Sequence, residues 1–203
     1  MSSKVVAIVG SYRKGGTIDT AVEAILEGAR EKGAETHTIY LREQHVEFCT
    51  NCRQCTQTPG AERGKGAQQD DLEPILKEIE AADAVVLGSP VNYYNATALF
   101  RRFLERLLGY FYWPWGNNLL IQRSKQQSRK AMLVASAGMP GFLIPFATGA
   151  PRALRLMAKS FGARPVGRLW IGLVSQEPHP RPRHGHWSGR GTWAGSWHRL
   201  IFM

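Results

Sequence analysis

The chain has 203 residues, a length that favours one domain and buries enough surface to fold without a disulfide or metal staple. With 43% hydrophobic and 21% charged residues it reads as an ordinary soluble protein, and no apolar run approaches the roughly 18 residues of a membrane span. The net charge of +10 is unevenly placed: residues 1–83 carry 10 Lys/Arg against 14 Asp/Glu, residues 84–203 carry 16 against 2. A basic half attracts anions. Its Lys and Arg are scattered among apolar strands and helices, not gathered in the block that marks a nucleic-acid arm, so a small anionic ligand is favoured over nucleic acid. Met1-Ser2-Ser3-Lys4 leads straight into a strand pattern without a signal-peptide cleavage site, and the expectation is a cytoplasmic protein without a membrane anchor.

Lys4–Gly10 is a nearly unbroken β-branched run, as in a parallel strand covered on both faces. Thr17–Lys32 places Ala21, Ala24, Ile25, Gly28 and Ala29 on one helical face, and Gly33 stops it. Glu35–Leu41 reads as a second strand. Residues 42–69 are polar and irregular and hold all three cysteines. Asp71–Ala82 is helical with Asp70 or Asp71 as its cap, and Pro74 is tolerated in the first turn. Asp83–Gly88 is the third strand, Ala96–Tyr112 a long helix, Lys130–Ser136 the fourth strand, Ala150–Phe161 a helix and Pro165–Val174 the fifth strand. This strict alternation predicts an open parallel sheet with helices on both faces. Ligands of such sheets bind beyond the carboxyl ends of the strands, so functional residues belong just after strands one, three and four.

The loop after strand one reads Gly10-Ser11-Tyr12-Arg13-Lys14-Gly15-Gly16-Thr17-Ile18. Glycines let backbone N–H groups face one point, the following helix N-terminus adds positive potential, and Ser11, Thr17 and Arg13 add donors. It reads as a phosphate cradle or, more plainly, as a tight strand–helix turn. A nucleoside-triphosphate loop is disfavoured because Gly16 stands where the essential lysine belongs, and no G-x-G-x-x-G dinucleotide fingerprint is present. After strand three, Gly88-Ser89-Pro90-Val91-Asn92-Tyr93-Tyr94-Asn95 offers aromatic rings and amides suited to a planar ring, or to a neighbouring subunit; Asn95 or Thr97 can cap the helix. After strand four, Ala135-Ser136-Ala137-Gly138-Met139-Pro140-Gly141 is rich in small residues, which suits close approach of backbone to a flat ligand.

In combination, GSYRKGGT, SPVNYYNATALFRRFLER and ASAGMPG resemble the NADPH-dependent FMN reductase family of flavodoxin-like proteins over about residues 4–174; the second segment is the most diagnostic. The resemblance implies a doubly wound α/β fold, five parallel strands in the order 2-1-3-4-5, and bound FMN. Ser11, Arg13, Gly16, Thr17 and Ile18 would hold its phosphate. Pro90, Val91, Asn92, Tyr93, Tyr94 and Asn95 would line the isoalloxazine ring, with Ser136, Ala137 and Gly138 on its other edge. The family often has Asn-Thr where this chain has Thr17-Ile18, so one hydroxyl contact is moved or lost. The implied activity is hydride transfer from NADPH or NADH to the flavin, then electron transfer to a quinone, free flavin, azo compound or metal ion. No protein acid or base is required, in keeping with the absence of paired carboxylates. The alternative is a non-enzymatic electron carrier, flavodoxin-like or an iron–sulfur flavoprotein. The family also implies a homodimer or homotetramer.

Cys49-x-x-Cys52-x-x-Cys55 resembles the cluster loop of iron–sulfur flavoproteins related to this family. A [4Fe–4S] cluster takes four thiolates, and the chain has three cysteines, with Gly66 where a fourth is expected. An iron–sulfur cluster is therefore not expected; zinc with His45 as fourth ligand, a redox thiol pair or no metal are the other readings. His37 reads as a satisfied strand histidine, Arg101 and Arg102 as a solvated face, and the aromatic run Tyr110–Trp115 as a subunit interface. Residues 1–174 thus form the flavin-binding domain. Residues 175–203 form a basic tail with four of the six histidines, three of the six tryptophans and no helical period, where this fold wants a last helix. They read either as an altered terminus or as a genuine irregular extension.

Overall fold

The structure, a computed structural model, describes residues 2–124 and 128–174; the tail of residues 175–203 lies outside the described residues. Five long parallel strands form one sheet: β1 (Lys4–Val9), β2 (Glu35–Tyr40), β3 (Ala84–Asn92), β7 (Arg129–Ser136) and β8 (Ala163–Ile171), in the spatial order β2-β1-β3-β7-β8. In chain order this is the 2-1-3-4-5 arrangement of a flavodoxin-like fold, as expected. β1 sits between β2 and β3, with Val5 opposite Thr36 on one side and Ala84 on the other, and its apolar run is buried throughout. The sheet order reverses between β1 and β3, which opens a crevice at their carboxyl ends.

One face of the sheet is covered by α2 (Leu72–Glu80), α3 (Ala98–Glu105) and α5 (Ala150–Ser160), whose Ile75, Leu76, Ile79, Phe100, Phe103, Leu154 and Met157 form the larger core with β1, β3 and β7. The other face carries α1 (Thr17–Arg30), which buries Ile18, Ala21, Val22, Leu26 and Ala29 against Val5, Ala7, Val9, Val86 and Val134. The buried stripe runs through Val22 and Leu26, and the expected Ala24 points to solvent. The larger aliphatic side chains decide which face turns inward. On the α1 side Val166, Leu169 and Ile171 of the edge strand β8 are only partly buried. No helix among the described residues is long and apolar enough to cross a membrane.

Two elements depart from expectation in ways that shape the rest of the molecule. β3 does not end at Gly88 but continues to Asn92, then returns through β4 (Asn95–Ala96) as an antiparallel hairpin with Val91 opposite Ala96. The long helix predicted over Ala96–Tyr112 is α-helical only to Glu105. It tightens into a 3₁₀ turn over Arg106–Tyr110 and leaves as β5 (Phe111–Tyr112), paired with β6 (Ile121–Gln122). Gly109 explains the change: its carbonyl accepts the Gly64 N–H at 2.9 Å, and a Cβ there would lie 2.3 Å from the Gly64 oxygen. Backbone packed on backbone replaces a further helical turn.

Capping follows the same logic of long-range partners. Thr97, not Asn95, caps α3, its Oγ1 accepting the Phe100 N–H at 3.2 Å. At α2 the Asp70 carboxylate accepts the Leu72 N–H at 3.2 Å, while Asp71 is drawn away to the His45 N–H at 2.7 Å. A short helix, α4 (Ile144–Ala147), completes the turn between β7 and α5.

Candidate functional site

The loops after β1, β3 and β7 converge at one point on the carboxyl edge. The Gly10 N–H donates to the Gly88 carbonyl at 2.8 Å, and Thr97 Oγ1 donates to the Gly10 carbonyl at 2.5 Å. The Ser89 hydroxyl, wholly buried, accepts the Thr97 N–H at 3.2 Å. Because β3 runs on past Gly88, Ser89 and Pro90 pair in register with Ala135 and Ser136 of β7. Two glycines are required by this junction. A Cβ on Gly10 would lie 2.8 Å from Phe100 Cβ, and one on Gly88 would lie 2.8 Å from Ile18 Cγ2.

The first loop is shaped by its own side chains. The Ser11 hydroxyl accepts the Arg13 N–H at 3.2 Å and leans on the Arg13 carbonyl at 3.3 Å, so it folds the loop upon itself. Gly15 adopts a φ of +67° with open space around it. Gly16 precedes α1 and no side chain caps the helix there, so the first-turn amides of Thr17 and Ile18 have no side-chain acceptor. Ile18 is buried against Gly88, so its side chain belongs to the core and its backbone is what it offers the loop. Arg13 and Lys14 are exposed beside this turn. Uncapped amides, an open glycine and two free cations make a site that fits a phosphate group.

The second loop is strained. Tyr93 and Tyr94 occupy the two central positions of the hairpin with φ of +45° and +62°, a conformation that two-residue turns ordinarily reserve for Asn and Gly. Tyr93 is 98% exposed and Tyr94 67%, with their rings edge to face at 6.4 Å. The Tyr94 carbonyl accepts the Gly149 N–H at 2.8 Å, and a Cβ on Gly149 would lie 2.9 Å from Asn95 Nδ2. Asn95 Oδ1 accepts the Ala96 N–H at 2.9 Å, leaving its amide nitrogen to serve other acceptors. In the third loop Ser136 and Ala137 are buried, and the Ala137 N–H is spent on the Ile171 carbonyl at 2.9 Å. Gly138, exposed, is the open backbone there. Tyr12, Phe142 and Phe146 add exposed rings near these loops.

The chain belongs to the NADPH-dependent FMN reductase family. Residues 3–144 match it, a span that holds every residue named above for phosphate and ring. An iron–sulfur flavoprotein of Archaeoglobus fulgidus is 33% identical over 111 residues, 55% of this chain and 48% of that protein. One from Methanocaldococcus jannaschii is 34% identical over 103 residues, 51% of each. The chain spans about half the length of these curated relatives. Among solved structures, an NAD(P)H:quinone oxidoreductase from Methanothermobacter marburgensis superposes with a TM-score of 0.63 at 19% identity, covering 87% of this chain and 89% of that one, which establishes the shared fold.

The cysteine loop lies elsewhere, against the far end of α3. Cys49, Cys52 and Cys55 are free thiols, and Asn51 and Arg53 between them adopt left-handed φ of +53° and +60°. Burial pushes the Cys55 thiol up, and the neighbouring Cys49 and Cys52 push it further. Among the described residues no three His, Cys, Asp or Glu side chains stand together as a metal site. His45 pairs with Glu47 Oε1 at 2.9 Å, and the position of Gly66 faces the Arg106 guanidinium, 3.7 Å from where a Cβ would stand. Three thiols with a cation at the expected fourth place do not fit a four-thiolate cluster.

Much of the aromatic run Tyr110–Trp115, expected at a subunit interface, is used within the chain. Tyr110 packs edge-on against Phe161 at 5.8 Å and donates to Glu80 Oε1 at 2.8 Å, so burial and the Glu80 charge push its hydroxyl far above the usual range. Trp113 and Trp115 enclose the Arg53 guanidinium at 3.7 and 4.1 Å. His37 is satisfied by Glu78 at 2.5 Å.

Proposed function

We propose that this protein is an FMN-dependent NAD(P)H oxidoreductase that takes electrons from NADPH or NADH and delivers them to a quinone, a flavin or a similar small acceptor. What supports this reading is one juxtaposition: an uncapped, glycine-opened turn at the start of α1 lies beside an exposed aromatic hairpin and a small-residue turn, all on the carboxyl edge of β1, β3 and β7. The first fits a phosphate, and the other two fit the face and edge of a planar ring.

In this reading the amides of Gly16, Thr17 and Ile18 hold the phosphate, with Arg13 adding charge from solvent and Ser11 fixing the turn. Pro90 and Val91 set the floor of the ring pocket. Asn92, Tyr93, Tyr94 and Asn95 line one side, and Gly138 beside Ser136 and Ala137 lines the other. When bound, FMN supplies the two-electron chemistry, and the protein's part is to bind and orient it. The open outer side of the hairpin leaves room for nicotinamide and acceptor to stack in turn. The exposed rings of Tyr93, Tyr94, Phe142 and Phe146 suit a homodimer or homotetramer that shelters the site. A cytoplasmic address, no nucleic-acid partner, and a flavin domain ending near residue 174 belong to the same reading.

Anaerobic addition of NADPH to the FMN-loaded protein should bleach its visible absorption, and a quinone should restore it over many turnovers. An electron carrier would show almost no NADPH consumption with a small acceptor, and that result would overturn the proposal.

A further inference from the structure

Asp19 and Arg42 form an ion pair that nothing local in the sequence announces. β2 runs parallel to β1 with Tyr40 opposite Val9, so the 3₁₀ turn after β2 (Leu41–Glu43) delivers residue 42 beside the loop after β1. The guanidinium grips the carboxylate with both terminal nitrogens, Nη1 to Oδ1 at 3.1 Å and Nη2 to Oδ2 at 2.9 Å. The two side chains are 11% and 8% exposed. Nη1 also donates to the Ser11 carbonyl at 3.3 Å, and Asp19 Oδ2 accepts the Gly15 N–H at 2.9 Å. The guanidinium rests 4.2 Å from the Tyr40 ring centroid, while its buried Nε makes no hydrogen bond and has Glu43 Oε1 at 3.5 Å. Both arms of the loop are thus tied through one nearly buried pair.

This arrangement sets a carboxylate in the first turn of the helix that would receive a phosphate. A helix N-terminus favours any anion, so Asp19 and a phosphate draw on the same potential. A phosphate monoester carries about −1.5 to −2 charges at neutral pH, and an unpaired carboxylate nearby would repel it. With Arg42 bound to both oxygens the pair is neutral, and the open amides, Arg13 and Lys14 decide the sign of the loop.

We propose that Arg42 is a positioning residue for the FMN phosphate: it neutralises Asp19 and, through the Ser11 carbonyl and Asp19's hold on Gly15, fixes the loop in its open form. The proposal rests on the FMN reading above. It is tested on the whole chain, stripped of flavin and titrated separately with FMN and with riboflavin, which has the ring and no phosphate. Arg42→Gln is expected to weaken FMN binding by at least about 30-fold, in the range of truncating one partner of a buried charge pair, and to change riboflavin binding by less than about 3-fold. Arg42→Lys, which keeps the charge and loses the fork, is expected to fall between. Asp19→Asn placed in the Arg42→Gln background removes the orphaned carboxylate and should return most of the FMN affinity.

Equal losses for FMN and riboflavin, unchanged FMN binding in Arg42→Gln, or no recovery in the double variant would each overturn the proposal. Should Arg42→Gln fail to fold, the double variant binding FMN within a few-fold of the parent, with Arg42→Lys weaker for FMN alone, carries the same test. A parent protein that takes up riboflavin and gains nothing from the phosphate overturns the inference alone; one that takes up neither flavin overturns the FMN reading and the inference with it.

Discussion

At the carboxyl edge of the sheet Tyr93 and Tyr94 stand in solvent on a turn of left-handed residues, whereas across α3 the 42–71 segment, equally irregular, is bound down by four guanidinium groups. Arg106 donates to the Glu47 carbonyl and pairs with Asp70, both side chains almost fully buried. Arg63 holds Glu73 with two nitrogens and Glu80 with a third. Arg53 reaches the Trp113 and Pro114 carbonyls, and Arg123 reaches those of Cys55, Thr58, Gly60 and Gly109. Both regions carry left-handed residues, Tyr93 and Tyr94 in one and Asn51 and Arg53 in the other, but only the first leaves its amides and rings open. The other is tied down where carbonyls and carboxylates accept from these arginines. An open site needs a closed scaffold, and here arginines fold the cysteine loop.

The sharpest way to break this contrast is at Arg106. Arg106→Ala leaves the buried Asp70 carboxylate unpaired and frees both ends of the cysteine loop. We expect a loss of about 3–5 kcal/mol in denaturant unfolding, and a loss under about 1 kcal/mol would show that the loop folds without it. A smaller effect of opposite sign is expected at the strained turn. Tyr94→Gly removes a left-handed tyrosine and should raise stability by up to roughly 1 kcal/mol while weakening FMN binding, the trade expected of strain kept for function. Lower stability in that variant would mean the turn is not strained.

The pH dependence is the mildest test. Burial works to raise the Asp70 carboxyl, but hydrogen bonds from Arg106 and from the Glu47 and Leu72 N–H groups outweigh it and hold it below its ordinary 3.8. Arg63 holds Glu73 below its ordinary 4.5. Folded-state values depressed in this way give stability that is fully present above the ordinary values and lost as pH falls through the folded ones. Thermal midpoints should be flat from neutral pH to about 5 and fall below about 4. In Asp70→Asn the acid-side fall should be shallower.

The contrast also explains what could be read from the sequence. The three inner strands β1, β3 and β7 were legible as short apolar runs, whereas the edge strands β2 and β8 are mixed in polarity; the 2-1-3-4-5 order followed from the family likeness of SPVNYYNATALFRRFLER. The positions of the three loops followed from the fold. What was not legible depends on partners far along the chain. In Arg106-Leu107-Leu108-Gly109 the glycine is the one local hint of a helix end, and what fixes the stop is its contact with Gly64, forty-five residues earlier. The hairpin at Asn92–Asn95 carries no Asn-Gly signature, so its left-handed tyrosines were invisible. Arg42 and Asp19 are joined only by the register of β1 and β2. The cysteine spacing resembles a cluster loop but lacks a fourth thiolate, while the residues that organise that loop are arginines with no spacing rule.

If the carboxyl edge of this sheet is an FMN site, the flavin-free protein takes up FMN there. The most direct measurement is a titration of the flavin-free protein with FMN, followed by flavin fluorescence and visible absorption. Saturable uptake of one FMN per chain, weakened by replacing Arg13 and blocked by a bulky residue at Gly138, is the predicted result. No uptake of FMN by the folded protein would contradict it.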